Sequence, residues 1–252
     1  MIQALSARRT SAARLHWQMR SLPIRPLAEA VHGPLLILAP HPDDETLGCG
    51  GLIATACAAG MPVHVLVLTD GTGSHPNSRT YPARRLRQIR EAESREAARH
   101  LGLETARVSF LGLPDRRAPQ RGPEAQRAAR AIAEHARSVG ARTLFTTWQH
   151  DPHCDHLAAA LLGRMAAELT GAVLMEYPVW GWTLPARRLL ASEPPDGFRL
   201  DITTHVAAKR RAILCHRSQL GEVIKDDPTG FTMDPDFVAL FGTPNETFLR
   251  VR

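Results

Sequence analysis

Blocks of apolar positions with two different periods divide this chain. Leu35-Leu36-Ile37-Leu38-Ala39 is an unbroken apolar run closed by Pro40, the pattern of a short strand buried on both faces. Residues 62–69 (PVHVLVLT), 107–111, 142–147 and 172–177 read the same way, rich in β-branched and large apolar residues. Between these runs the apolar positions recur at helical spacing. Residues 46–60 form a small-faced helix ended by Gly60. Residues 83–100 carry Leu86, Ile89, Ala92, Ala97 and Leu101 on one stripe, stopped by Gly102, and 123–139 and 158–169 give two more helices. Residues 203–217 read as a last helix, 178–195 as irregular, and the tail to Arg252 as loop-rich. Strands and helices in strict alternation predict an α/β fold, a Rossmann-like doubly wound, mostly parallel sheet with helices on both faces.

Two polar segments interrupt this pattern, each directly after a strand. His41-Pro42-Asp43-Asp44-Glu45 follows the first strand, and His150-Asp151-Pro152-His153-Cys154-Asp155-His156 follows the fourth. In a doubly wound sheet of Rossmann order the first and fourth strands are neighbours, and ligands collect beyond their carboxyl ends. Strand order alone therefore predicts that the two segments meet at one crevice. Three consecutive acids at a buried strand end are costly without a compensating cation, and a metal ion is the obvious one.

Composition narrows the class. Hydrophobic residues make up 44% of the chain, enough for one sizeable core. No apolar stretch approaches the roughly 18 residues that span a bilayer, and no signal-peptide pattern opens the chain. Cys49, Cys57, Cys154 and Cys215 form no CxxC pair, which argues against a disulfide scaffold and for a reducing compartment, with a cytoplasmic location expected. The formal charge is +6, concentrated early: Arg8, Arg9, Arg14, Arg20 and Arg25 precede the first acid, Glu29. Residues 1–29 thus read as a basic, poorly structured arm and 30–252 as a single domain. A solvated extension is the simplest account of the arm. Contact with nucleic acid, anionic lipid or an acidic partner, and an Arg-rich transit peptide, are the alternatives. With 5% aromatic residues and no nucleic-acid-reading motif, no nucleic-acid partner is expected. The chain leaves a homo-oligomer open.

A catalytic zinc site takes three protein ligands from His, Asp or Glu and keeps one position open. His41 and Asp44, three apart on a tight turn, can reach one ion, and His156 at the entrance of the following helix is the natural third ligand. Taken alone, Asp43 could instead cap a helix and His153 could be an ordinary loop histidine.

The His41-Pro42-Asp43-Asp44-Glu45 segment, with His153-Cys154-Asp155-His156 downstream, resembles the LmbE/PIG-L family of metal-dependent N-acetylglucosamine deacetylases. Arg90 and Glu93 on one helix and the late His216-Arg217-Ser218-Gln219 segment fit the same family. Family members usually carry proline where this chain has Cys154, a departure that should alter a turn and not a ligand. The resemblance implies a Rossmann-like fold, one Zn2+ per chain with Fe2+ as the alternative, and hydrolysis of an acetamide on a small-molecule amino-sugar conjugate. It implies His41, Asp44 and His156 as metal ligands, Asp43 as general base, His153 as the protonated group facing the oxyanion, and Asp155 as the carboxylate holding His153 charged. Glu45 would support a ligand from behind, and Arg79, in the long loop 70–82, would bind substrate. Trp180, Trp182 and His216 are open between lining the site and filling the core. So are Gly48, Gly50 and Gly51, between ligand approach and helix packing.

Four other functions compete. Two histidines and a carboxylate also make the facial triad of non-haem iron oxygenases. A dinucleotide-binding module would share the fold, but no GxGxxG follows the first strand. A nucleic-acid binder would use the arm. A metal-dependent amidohydrolase acting on a non-sugar amide is the nearest alternative.

Overall fold

The apolar run at 35–39 lies at the centre of the molecule, hydrogen-bonded on both sides to other strands. The computed structural model describes residues 9–251. In chain order the elements are β1 (Arg9–Ser11), α1 (Ala12–Arg20), α2 (Leu27–Ala30), β2 (Leu35–Ala39), α3 (Asp44–Ala58), β3 (Val63–Thr69), α4 (Ala83–His100), β4 (Val108–Leu113), α5 (Gly122–Ser138), β5 (Thr143–Thr147), α6 (Cys154–Thr170), β6 (Val173–Tyr177), β7 (Leu189–Ala191), β8 (Gly197–Asp201), α7 (Val206–Ile213), α8 (Pro235–Ala239) and β9 (Asn245–Arg250).

Seven strands form the main sheet in the order β4-β3-β2-β5-β6-β9-β8. The β4-to-β6 portion is parallel, and β9 and β8 add an antiparallel edge. This is the expected α/β class. The pairing of β2 with β5, Leu35 opposite Thr143 and Ile37 opposite Phe145, is the expected neighbour relation of the first and fourth predicted strands. Alternation along β2 divides the core. Leu35, Ile37 and Ala39 pack with α3, while Leu36 and Leu38 pack with α5 and α6.

Two glycines of α3 are explained by packing. A Cβ on Gly48 would collide with the Tyr177 ring, and one on Gly51 would lie 2.5 Å from Ile202. Small residues bring α3 close to β6 and to the segment after β8, so helix packing, not ligand approach, accounts for them.

Three expectations change. Residues 9–29 are not a loose arm. Ala12, Leu15 and Met19, spaced by three and four, are fully buried on one side of α1, where Leu15 and Met19 meet Trp148 and Leu249. β1 pairs antiparallel with β7. The apolar stripe of α1 was present in the sequence but outweighed by the surrounding arginines. Arg8 lies outside the described residues. The stretch after residue 217 is more regular than expected, because β9 enters the sheet beside β6. Finally, α6 begins at Cys154, four residues before the expected start at 158, and this places Asp155 and His156 on its first turn.

Candidate active site

The site lies beyond the carboxyl ends of β2 and β5. The chain leaves β2 through Pro40 and turns at His41–Asp43 into α3, which begins at Asp44. Asp43 adopts φ 149°, a conformation that L-residues other than glycine rarely hold and that costs about 1–3 kcal/mol. Arg90, buried on α4, holds the turn. Its Nη2 donates to the Pro42 carbonyl at 3.0 Å and to Asp43 Oδ2 at 2.9 Å, and its Nη1 to the Gly71 carbonyl at 2.8 Å. From the other side, the Asp43 amide donates to Glu45 Oε2 at 3.0 Å. Glu45 therefore braces the backbone of the turn and touches neither histidine.

Three nitrogens surround one carboxylate oxygen. Asp44 Oδ2 is 3.2 Å from His41 Nδ1 and 3.2 Å from His156 Nε2, and it accepts from the His41 amide at 3.0 Å. Ligand atoms held at 2.0–2.1 Å around a tetrahedral zinc ion stand about 3.3 Å apart, so both imidazole spacings suit one shared cation. His156 Nε2 is buried and has no hydrogen-bond partner. On its far side, His156 Nδ1 is 2.9 Å from Asp151 Oδ2, so when the ring is neutral the proton belongs on Nδ1 and Nε2 has its lone pair free for a cation. Nitrogens of His41, His153 and His156 also lie within 4.8 Å of one another. A His/Asp cluster able to hold a metal ion is thus present.

Charge in this cluster is tightly arranged. Burial opposes a charged His156, but the Asp44 and Asp151 carboxylates outweigh it and push its pKa up to about 9. For His41, burial is likewise outweighed, here by Asp115, Asp155 and Asp44, which hold it well above the ordinary value. Burial also works against an ionised Asp44, yet the two imidazoles beside it hold its carboxyl well below the usual range. Without a metal, protons on these rings balance the acids. A divalent cation would take over that role, releasing them. Burial lifts Asp43 to about 7, with Arg90 opposing.

The second polar segment is built differently from expectation. Asp155 does not hold His153 through its carboxylate. Asp155 Oδ2 accepts from the Arg116 amide at 2.6 Å and lies 3.1 Å from His41 Nε2, while Oδ1 accepts from the Ala118 amide at 3.1 Å. Its backbone amide, not its carboxylate, meets His153, donating to Nδ1 at 3.2 Å. His153 is therefore the N-cap of α6. Burial, then the charges on His41 and His156, push its pKa down to about 4. It stands as a neutral imidazole with its proton on Nε2, contrary to the expected imidazolium.

Asp151 stood in the second polar segment without an assigned role, and Asp115 was passed over in the sequence; both contact site histidines. Asp151, fully buried, binds His156 and accepts from the amides of Val179, Trp180 and Gly181 at 3.1, 3.1 and 2.5 Å. Asp115 Oδ1 is 3.3 Å from His41 Nε2, and its Oδ2 accepts from the Gly73 amide at 2.7 Å. Its position just past β4, on the same sheet edge as the two polar segments, was the available signal.

A cavity of about 350 Å3 opens over the cluster. His41, Asp43, Asp44, Arg90, Asp115 and His153 line one part of it, and Trp180 another. Arg79 is not among the lining residues. Its side chain is exposed, and its amide donates to Asp226 Oδ2 at 2.9 Å, tying loop 70–82 to the segment after α7. From that loop it is Gly73 and Ser74 that reach the cavity. Trp182 packs instead against α1, its ring 5.5 Å from that of His16. His216 is fully buried with Nε2 3.1 Å from Thr46 Oγ1, behind the site and outside the cavity lining.

With this geometry in hand, comparison with known proteins is decisive. Residues 36–167 match the PIG-L family, described as GlcNAc-PI de-N-acetylase. The chain belongs to the PIG-L family. The matched span runs from β2 into α6 and so holds both polar segments. Within a curated relative, the 2'-N-acetylparomamine deacetylase of Streptomyces fradiae, 156 residues align at 32% identity, covering 56% of this chain and 55% of that protein. The chain thus spans about half the length of this relative. Among solved structures, a conserved protein from Thermus thermophilus superposes with a TM-score of 0.64 at 27% identity, covering 88% of this chain and 95% of that one. The N,N'-diacetylchitobiose deacetylase of Pyrococcus horikoshii gives a TM-score of 0.65 at 19% identity over 93% of this chain and 88% of its own, a likeness of fold. Among the described residues no helix is long and apolar enough to cross a membrane.

Proposed function

We propose that this PIG-L protein is a zinc-dependent deacetylase that hydrolyses the acetamide of an N-acetylated amino sugar, releasing acetate and a free amine. The observation that carries this reading is the convergence of His41 Nδ1 and His156 Nε2 on Asp44 Oδ2, each at 3.2 Å, with Asp43 next in the chain. His41, Asp44 and His156 would hold the ion. Bound there, zinc supplies Lewis-acid polarisation and water activation, with Fe2+ as the alternative metal.

The remaining work falls to the chain's own groups. Asp43, lifted to about 7 and fixed by Arg90, accepts the proton of the attacking water. His153, neutral with its proton on Nε2, donates a hydrogen bond toward the carbonyl oxygen as charge builds on it, a contribution of about 3 kcal/mol for one oxyanion donor. Asp155 positions His41 and the 116–118 backbone, and Asp151 positions His156. The likeness to the 2'-N-acetylparomamine deacetylase of Streptomyces fradiae supports the substrate class.

Acetate release tests this reading. Chelator-stripped protein should be inactive on a panel of N-acetylglucosamine conjugates, and zinc should restore turnover. Turnover unaffected by the chelator, or absent on every acetylated amino sugar tried, would overturn it.

A further inference from the structure

The cavity has two unlike walls. On one side Ser74, Asp115, Arg116 and Gln219 supply polar groups. Gln219 is fully buried, and its Oε1 has no hydrogen-bond partner. An unpaired buried acceptor at a cavity wall calls for a donor from the ligand. A second part of the lining, adjoining the first, is apolar. Trp180 stacks on Phe237 with ring centroids 4.1 Å apart and planes 17° apart, and Phe231 meets Trp180 edge-on at 5.8 Å. Met233 and Leu47 complete that wall. Leu47 lies one helical turn beyond Asp43, so this surface begins beside the reacting centre.

The wall is held in place. The Phe231 amide donates to the Ser74 carbonyl at 2.7 Å, the Met233 amide to the Gln219 carbonyl at 2.7 Å, and the Trp180 amide to Asp151. A pyranose ring could lay one C–H face on a single aromatic ring, but its equatorial hydroxyls pressed among Phe231, Met233, Phe237 and Leu47 would lose their water partners without replacement. An acetyl methyl is too small to cover four such side chains.

We propose, resting on the deacetylase reading, that this site takes amino-sugar conjugates carrying an apolar substituent of several carbons, seated on the Trp180–Phe237 wall while the sugar hydroxyls face Gln219 and Asp115. Two sources offer that chemistry: an apolar aglycone, or an acyl group longer than acetyl.

Equilibrium binding to zinc-loaded protein distinguishes them, using the methyl and hexyl β-glycosides of N-acetylglucosamine and the methyl β-glycoside of N-hexanoylglucosamine, with carboxylate release measured in parallel. Each methylene fully buried strengthens binding about four-fold, so at least one hexyl-bearing probe should bind ten-fold or more tighter than the methyl glycoside. A gain for the hexyl glycoside identifies the aglycone, and a gain for the hexanoyl amide identifies the acyl group. Phe237→Ala should abolish most of the gain, and Phe231→Asn, in a half-buried loop position, should do so without opening the core. Equal binding of all three probes, or a gain that survives both substitutions, overturns the inference even if acetate is released. A gain without any release from any probe sustains the apolar subsite and removes the deacetylase reading.

Discussion

The two polar segments, 41–45 after β2 and 151–156 after β5, have similar compositions and do different work. In the first, the acids act where they stand: Asp44 faces two imidazoles, and Asp43 faces the cavity under the control of Arg90. In the second, each acid binds one site histidine and a loop at once. Asp151 joins His156 to the amides of 179–181, and Asp155 joins His41 to the amides of 116 and 118. In the site as proposed, similar acids would separate into ligands and organisers, the organisers being those that accept two or more backbone amides. A carboxylate set behind a histidine and held by backbone amides fixes which nitrogen of that histidine points forward.

This contrast can be broken experimentally. The largest effect is expected from the ligand class: Asp44→Ala and His156→Ala should each abolish zinc retention and turnover, read by elemental analysis and acetate release. Asp151→Asn should be milder. It keeps the volume but presents an amide to His156 Nδ1, so zinc affinity should fall about 10- to 100-fold, measured by competition with a chelator. If Asp151→Asn were as damaging as Asp44→Ala, the division between ligands and organisers would fail.

Arg90→Gln probes the control of Asp43. Arg90 lowers the Asp43 pKa against the upward push of burial, which leaves it at about 7 without a metal. A cation nearby lowers it further, so the acid limb of the rate profile should lie at or below about 7. A base is active when deprotonated, hence removing the guanidinium should move that limb to higher pH, by about 1–3 pH units for a close charge partner. A limb that stays in place separates Asp43 from the proton transfer. The smallest effect belongs to Arg79→Ala: an exposed side chain outside the cavity should leave KM and kcat within about two-fold and stability within about 0.5 kcal/mol.

Much of this architecture was legible in the sequence, for physical reasons. β2, β3, β5 and β6 lie at or near the middle of a parallel sheet, buried on both faces, and such strands announce themselves as continuous apolar runs. Their order then placed His41–Glu45 beside Asp151–His156. What stayed hidden depends on contacts that no spacing encodes. Asp155 is two residues from His153 in the chain, but the first turn of α6 carries its carboxylate toward Arg116, Ala118 and His41. Asp115 stands after β4 with no histidine nearby in sequence, so only the sheet edge reveals its place. α1 buries Ala12, Leu15 and Met19, small and medium residues whose stripe is masked by arginines. β8 and β9 join the sheet antiparallel, an arrangement that an alternating strand-helix pattern does not anticipate.

In the proposed site adjacent carboxylates divide the labour, Asp44 holding the ion and Asp43 moving the proton. Asp43→Ala tests it most directly, with zinc content and acetate release measured on the same preparation. One zinc per chain is expected, the same as in the unaltered protein, with turnover lowered by about 10²–10⁴-fold. Full turnover, or loss of zinc to the same extent as in His156→Ala, would contradict it.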